Sequence, residues 1–153
     1  MVTRRRAASR CRNPGRGPRL VFSALDAAGN VLARYPASVG SEHDPLPIGS
    51  WTVTAVARNP SFNYNPDLFW DADPKHAKAK IPPGPNGPVG VVWIDINKPH
   101  YGIHGTPEPS TVGHTQSHGC VRLTNWDAKE VGHRVSPGVQ VEFVDTRKEV
   151  PAE

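Results

Sequence analysis

The sequence predicts a mainly β domain with one short helix towards its C-terminal end. Three observations lead there. Seventeen prolines and fourteen glycines in 153 residues exclude a helical bundle and suit short strands joined by turns. These breakers lie between apolar runs rather than in one low-complexity block, so the chain is expected to fold. Most apolar runs alternate, and only the stretch after residue 124 repeats at helical spacing. The length suits one domain with one core.

The elements come in order along the chain. Residues 1–18 read as a basic, disordered leader, because seven arginines (Arg4, Arg5, Arg6, Arg10, Arg12, Arg16 and Arg19) precede residue 20. Such a tail also has the charge to touch anionic polymers or phosphate. The domain is expected over 19–146, with a C-terminal tail at 147–153. Leu20 to Leu25 is a strand, Ala28-Gly29-Asn30 a turn, and Val31 to Val39 the returning strand. Asp44-Pro45-Leu46-Pro47-Ile48-Gly49 is rigid and non-helical, since each proline fixes its own φ and restricts its predecessor. Trp51 to Val56 alternates around threonines as a third strand.

Residues 58–88 have no period and are rich in Asn and Pro. Their aromatics, Phe62, Tyr64, Phe69 and Trp70, argue for an ordered insertion, one that either walls a groove or packs onto the core. Val89 to Ile96 is β-branched and apolar, as in a buried central strand. Tyr101 to Gly105 is a short strand leading into a loop at 106–116. Cys120 to Leu123 alternates as another strand. Thr124 caps the helix with Asp127 three residues on, and Ala128, Val131 and Val135 face inward. Pro137-Gly138 turns the chain, and Val139, Val141 and Phe143 alternate as the last strand. There is no internal repeat.

The net charge of +4 comes largely from the leader. No basic stripe with interleaved aromatics points to nucleic acid. No stretch is long enough to span a membrane, and no apolar run comes after the basic start as an export signal needs. Cys11 also lacks the upstream apolar run of a lipid attachment site. A Cys11–Cys120 bridge would tie the domain to a leader expected to be unfolded, so Cys120 is expected free and reactive.

The chemistry gathers at Ser117-His118-Gly119-Cys120, with His104 sixteen residues upstream. A thiolate attacks carbonyls; a thiol hardly does. A free cysteine titrates near 8.5 and a neighbouring imidazolium lowers it, at about 3.5–7.5 in activated sites. Two imidazoles are available, His104 and His118. A neighbour at i−2 in a turn often points away, so His104, brought across the sheet, is expected as base and later acid. His118 is expected to support the loop and the sulfur. Gly119 permits a sharp turn, and the N–H groups of Gly119 and Cys120 are expected to stabilise an oxyanion. On a strand, Cys120 and Arg122 share a face, with Val121 and Leu123 on the core side. Arg122 then lies about 7 Å along the strand, placed to hold a substrate carboxylate. A rival reading is zinc on His100, His104, His114, His118 and Cys120, but the spacing fits no metal pattern. No metal and no cofactor are expected.

These residues resemble the L,D-transpeptidase catalytic domain, the YkuD family, whose signature is a histidine, a loop of about a dozen residues, then Ser/Thr-His-Gly-Cys. The match extends in one order through Ser38-Val39-Gly40, Pro45-Leu46-Pro47-Ile48-Gly49, Tyr64-Asn65-Pro66, Pro83-Gly84-Pro85-Asn86, Ile103-His104-Gly105-Thr106 and Cys120-Val121-Arg122-Leu123-Thr124-Asn125, as in the ErfK/YbiS-like branch. The resemblance covers about residues 20–146.

It implies a β-sandwich with the cysteine in a groove, and a two-step reaction on peptidoglycan stem peptides. Cys120 would attack the L-centre carbonyl of diaminopimelate in a tetrapeptide, release D-alanine, and pass the acyl group to an amine, giving a 3→3 cross-link. Attachment of lipoprotein, or water as acceptor in an L,D-carboxypeptidase, are the alternatives within the family; a catalytically silent wall-binding domain is the alternative outside enzymology. The resemblance maps Cys120 to the nucleophile, His104 to the general base, and His118, Gly119 and Arg122 to supporting and substrate-contacting positions; Cys120, His104 and His118 are the expected catalytic residues, and Ser117, Gly119 and Arg122 the expected substrate contacts. It implies a cell-envelope or periplasmic location for a chain expected to be monomeric. The arginine-rich start does not resemble the family's first strand. Were that strand absent, a sheet edge would be left bare.

Overall fold

The computed structural model describes residues 21–114 and 117–144 and the backbone of residues 6–9. The first alternating run and its turn form a hairpin of β2 (Val21–Leu25) and β3 (Val31–Pro36). Asp26 closes the turn by accepting from the N–H groups of Ala28 and Asn30 at 2.9 and 2.8 Å. The threonine-rich run becomes the longest strand, β4 (Gly49–Arg58). The apolar run yields β7 (Val92–Ile96), then come β8 (Gly102–His104), β9 (Val121–Arg122) and, after the helix, the Gln140–Phe143 strand.

Four residues of the expected leader depart from the prediction. Arg6–Ser9 forms strand β1, antiparallel to β2 and parallel to the Gln140–Phe143 strand. Two flanking strands offer this segment backbone partners on both sides, and that context outweighs its weak strand propensity. The strand lies inside the sheet rather than at an edge. The rest of the leader, Cys11 included, lies outside the described residues, as does the tail beyond residue 144.

The insertion, expected to be ordered but irregular, holds regular elements. It contains a two-stranded ribbon of β5 (Phe62–Tyr64) and β6 (Ala79–Ile81), and a 3₁₀ turn at Pro66–Leu68 capped by Asn65. With the final strand numbered β10 (Gln140–Phe143), the large sheet runs β3-β2-β1-β10-β4-β7-β8-β9.

One strand makes this sheet a sandwich. The first part of β4 pairs with β10, and its remainder pairs with β7 after a register shift between Val53 and Ala55. Such a bulge bends a strand and increases its twist, so β4 serves two leaves. The far edges meet where Ser38 and Arg122 exchange backbone hydrogen bonds of 2.9 and 2.8 Å. Between the leaves lie Phe22, Val53, Ile94, Ile103, Val121, Leu123, Val141 and Phe143, all nearly solvent-free.

The helix α1 (Asn125–Arg134) begins as predicted: the Thr124 hydroxyl accepts from the Asp127 N–H at 3.1 Å. It buries Ala128, Val131 and Gly132, with Gly132 against Val92 and Val56; Val135 ends it as the C-cap and packs against the core from a half-buried position. The Tyr35 hydroxyl donates to Glu130 at 2.9 Å, and Arg134 reaches the same carboxylate, fastening the helix to β3. Among the described residues no helix is long and apolar enough to cross a membrane.

Candidate active site

β8 and β9 run parallel with Ile103 opposite Val121 and His104 opposite Arg122. Because alternate residues share a face, this register puts His104 and Arg122 on one face and sends Ile103, Val121 and Leu123 into the core; Cys120, expected to start the strand, lies in the bend just before it and opens into the cleft that this face walls. That face is one wall of an open cleft of about 880 Å³, which takes in His104, Cys120, Arg122, Ser117 and His118 together.

His104 is nearly buried, 7% exposed. The Trp93 ring stacks on it at 5.5 Å between centroids. Its Nδ1 lies 2.6 Å from the Gly105 carbonyl. A carbonyl only accepts, so Nδ1 carries the proton and Nε2 keeps a lone pair. Burial pushes the imidazole down to about 4, opposed by the Gly105 hydrogen bond and reinforced by Arg122. The side chain is therefore neutral at physiological pH.

Cys120 is free and half-buried. Its Sγ lies 3.7 Å from the His100 carbonyl. Burial pushes the thiol up to about 11, against the lowering effects of the Gly102 N–H and of Arg122; Asp44 pushes it further up. This corrects the expectation of a thiol lowered by an imidazolium. With the imidazole neutral and the sulfur desolvated, the resting site is a neutral thiol beside a neutral base.

The turn before the sulfur depends on Gly119. Its φ of +94° is left-handed, and a Cβ there would fall 2.5 Å from the Tyr101 ring. Side chains larger than hydrogen meet both obstacles at once. Neither the Gly119 nor the Cys120 N–H has a protein acceptor among the described residues, so both stay available to an incoming oxygen. The Ser117 hydroxyl donates to the Cys120 carbonyl at 2.5 Å. That hydroxyl clamps the turn, and the residue lines the cleft while only 5% exposed.

The opposite wall is the insertion, through Phe62, Tyr64, Leu68, Phe69 and Asp71. His118 belongs with this wall. Its Nε2 lies 2.7 Å from the Asp71 carboxylate, and its ring meets Phe69 edge-on at 5.0 Å. Its ring nitrogen ties the motif to the insertion. Arg122 sits half-buried beside His104, with no carboxylate within ion-pair distance among the described residues.

Tyr101, Asp44 and Asp71 also line the cleft without having been read as site residues, and so does His100, which the sequence offered only as a metal ligand. Pro99-His100 was the available signal. The Tyr101 N–H bonds to the Lys98 carbonyl, and His100 has φ +66°. Proline next to a left-handed residue marks a tight turn, one that aims the His100 carbonyl at the sulfur. Among the described residues no three His, Cys, Asp or Glu side chains are grouped to hold a metal ion.

Comparison with known proteins agrees with this geometry. Residues 19–143 match the family model of the YkuD L,D-transpeptidase catalytic domain. A putative L,D-transpeptidase YkuD of Bacillus subtilis is 30% identical over 76% of this chain and 56% of its own length. A probable L,D-transpeptidase YbiS of Escherichia coli is 32% identical over 76% of this chain and 39% of its own. The chain thus spans about half or less of these relatives. An L,D-transpeptidase from Mycobacterium smegmatis shares the fold with a TM-score of 0.62 at 22% identity, covering 82% of this chain and 54% of that one. L,D-transpeptidase 3 from Mycobacterium tuberculosis does so with a TM-score of 0.64 at 20% identity, over 82% and 56%.

Proposed function

Because the chain belongs to the YkuD family of L,D-transpeptidase catalytic domains, we propose that it transfers peptidoglycan stem peptides through a Cys120 acyl-enzyme. The observation that carries this reading is the shared wall: a free thiol, a neutral imidazole locked by its own backbone neighbour, and a guanidinium without an ion-pair partner among the described residues open into one cleft.

In this mechanism Cys120 Sγ attacks the L-centre carbonyl of diaminopimelate in a tetrapeptide. With the thiol at about 11, only about one molecule in 10⁴ holds a thiolate at pH 7. Attack and transfer of the S–H proton to His104 Nε2 therefore occur together. The Gly119 and Cys120 N–H groups receive the oxyanion. His104 then protonates the departing D-alanine amine, leaving a thioester. An acceptor amine attacks the thioester, forms the 3→3 bond and returns a proton through His104 to the sulfur. Arg122 holds a donor carboxylate. His118 acts on the insertion rather than on the reacting atoms. Such a substrate places the work in the cell envelope.

A carbapenem and a diaminopimelate-containing tetrapeptide test the reading. The intact chain is expected to gain one carbapenem-sized mass adduct and to release D-alanine, and Cys120→Ala to do neither. An adduct that survives Cys120→Ala, or a chain that releases no D-alanine, would rule the mechanism out.

A further inference from the structure

We propose that Asp44 is the subsite that captures the primary ammonium of the acyl acceptor, so that an amine is favoured over water in the second half-reaction. The inference rests on the transpeptidase reading above and names the acceptor chemistry it uses.

Asp44 stands in the connection between β3 and β4, in a turn built to present it. Gly40 is folded so closely against this turn that a Cβ would collide with the Leu46 nitrogen and lie 2.5 Å from the Asp44 carbonyl oxygen. The Ser41 N–H donates to the Asp44 carbonyl at 2.8 Å, and the Asp44 N–H to the Ser41 hydroxyl at 3.1 Å. Pro45 and Pro47 stiffen the chain on its C-terminal side. The result is a half-buried carboxylate that lines the cleft from a rigid support.

Among the described residues that carboxylate accepts no hydrogen bond and joins no ion pair. Of the other acids lining the cleft, Asp71 is taken by His118 and Asp73 accepts from the Lys75 N–H; Glu108 shares the unpaired state among the described residues but is exposed and has no effect on the sulfur. Among the described residues Asp44 is also the one carboxylate whose charge reaches the sulfur, where it disfavours the thiolate. An unpaired negative charge beside a nucleophile hinders the first half-reaction. It helps only when a cation arrives. Arg122 on the sheet wall suits a donor carboxylate, and Asp44 suits an ammonium. The acceptor of the second half-reaction is an amine, cationic in solution. Held at Asp44, it loses one proton to solvent and attacks the thioester carbon. The C–N bond forms as C–S breaks, and the second proton passes through His104 to Sγ.

The test measures both half-reactions of the full chain with a tetrapeptide donor and free diaminopimelate at limiting concentration, water competing. In Asp44→Asn the amide-to-acid product ratio is expected to fall about 10-fold, with a raised KM for diaminopimelate. Thioester formation is expected to quicken about 2-fold, because the opposing charge is gone. Asp44→Glu is expected to recover part of the ratio. An unchanged ratio, or a loss of both half-reactions together, would overturn the assignment. So would an effect confined to the donor, which would mean that the donor's own ammonium is bound. Failure of the parent chain to form any thioester would instead strike the transpeptidase reading.

Discussion

Of the histidines that line the cleft, His104 on the sheet wall and His118 against the insertion are held in opposite ways. On the sheet wall His104 is buried, stacked under Trp93, and fixed by a 2.6 Å contact to the neighbouring carbonyl. On the insertion wall His118 is half-exposed and held by the Asp71 carboxylate and the Phe69 ring edge. The first arrangement comes from strand register, which moves only if the sheet moves. The second is a set of side-chain contacts between two loops, each worth about 1 kcal/mol or less. Chemistry that needs a fixed proton acceptor suits the first wall; admission of a bulky peptide suits the second.

The sharpest way to break this comparison is to remove each histidine in turn. His104→Ala is expected to lower kcat by about 10²–10⁴, the usual worth of a general base, while the β-sheet circular dichroism persists. His118→Ala is expected to lose less than about 10-fold, mostly in KM, as for a residue that acts through the insertion. Equal losses in kcat would erase the distinction between the walls.

A smaller but still large effect is expected at the turn that joins them. Gly119→Ala must place a side chain at φ +94° and against Tyr101. Left-handed strain alone costs about 1–3 kcal/mol, and the N–H groups of Gly119 and Cys120 would shift with the turn. Carbapenem acylation is expected to slow at least about 10-fold, with a lowered melting temperature. An acylation rate equal to that of the parent chain would remove these N–H groups from the mechanism.

The pH profile distinguishes the walls without mutation. A buried imidazole at about 4 stays neutral until well below its ordinary 6.5. The acid limb of kcat/KM for acylation is therefore expected near pH 4–5. A limb near 6.5 would report an exposed histidine instead. Stability has the same sign. The unfolded chain takes up the His104 proton first, so the contribution of the neutral buried ring is complete above pH 6.5 and is lost as pH falls towards 4.

The same contrast explains what the sequence disclosed. The sheet wall was legible because its signals are local: alternation placed Cys120 and Arg122 on the cleft side, Thr124 and Asp127 announced the helix, and the spacing of His104 fitted two adjacent strands. The insertion wall was legible in outline, since Phe62, Tyr64 and Phe69 were among the aromatics read as walling a groove or packing on the core and they line the cleft, but the contacts that hold it were not. Asp71 lies 47 residues from His118, and nothing in Trp70-Asp71-Ala72 names that partner. Phe62–Tyr64 and Ala79–Ile81 are too short to show a period. Arg6–Ser9 has neither β-branched nor aromatic residues, and its strand exists through its two neighbours. The thiol's upward shift was hidden too, because burial is a property of the closed fold rather than of Ser117-His118-Gly119-Cys120.

The least effect is expected at the contact between the walls. The His118–Asp71 pair leaves 33% and 47% of its side chains exposed, so water screens it and its worth is about 0.2–1 kcal/mol. Asp71→Asn keeps the shape and removes the charge. It is expected to move the melting temperature by no more than a few degrees and to raise the donor KM a few-fold, with kcat nearly unchanged. Adding salt to the parent chain should move KM in the same direction, since screening weakens an exposed pair, and should move it less in the variant. A large fall in kcat would mean that the pair reaches the reacting atoms. Invariance of KM to both substitution and salt would mean that Phe69 and the β5–β6 ribbon hold the insertion without it.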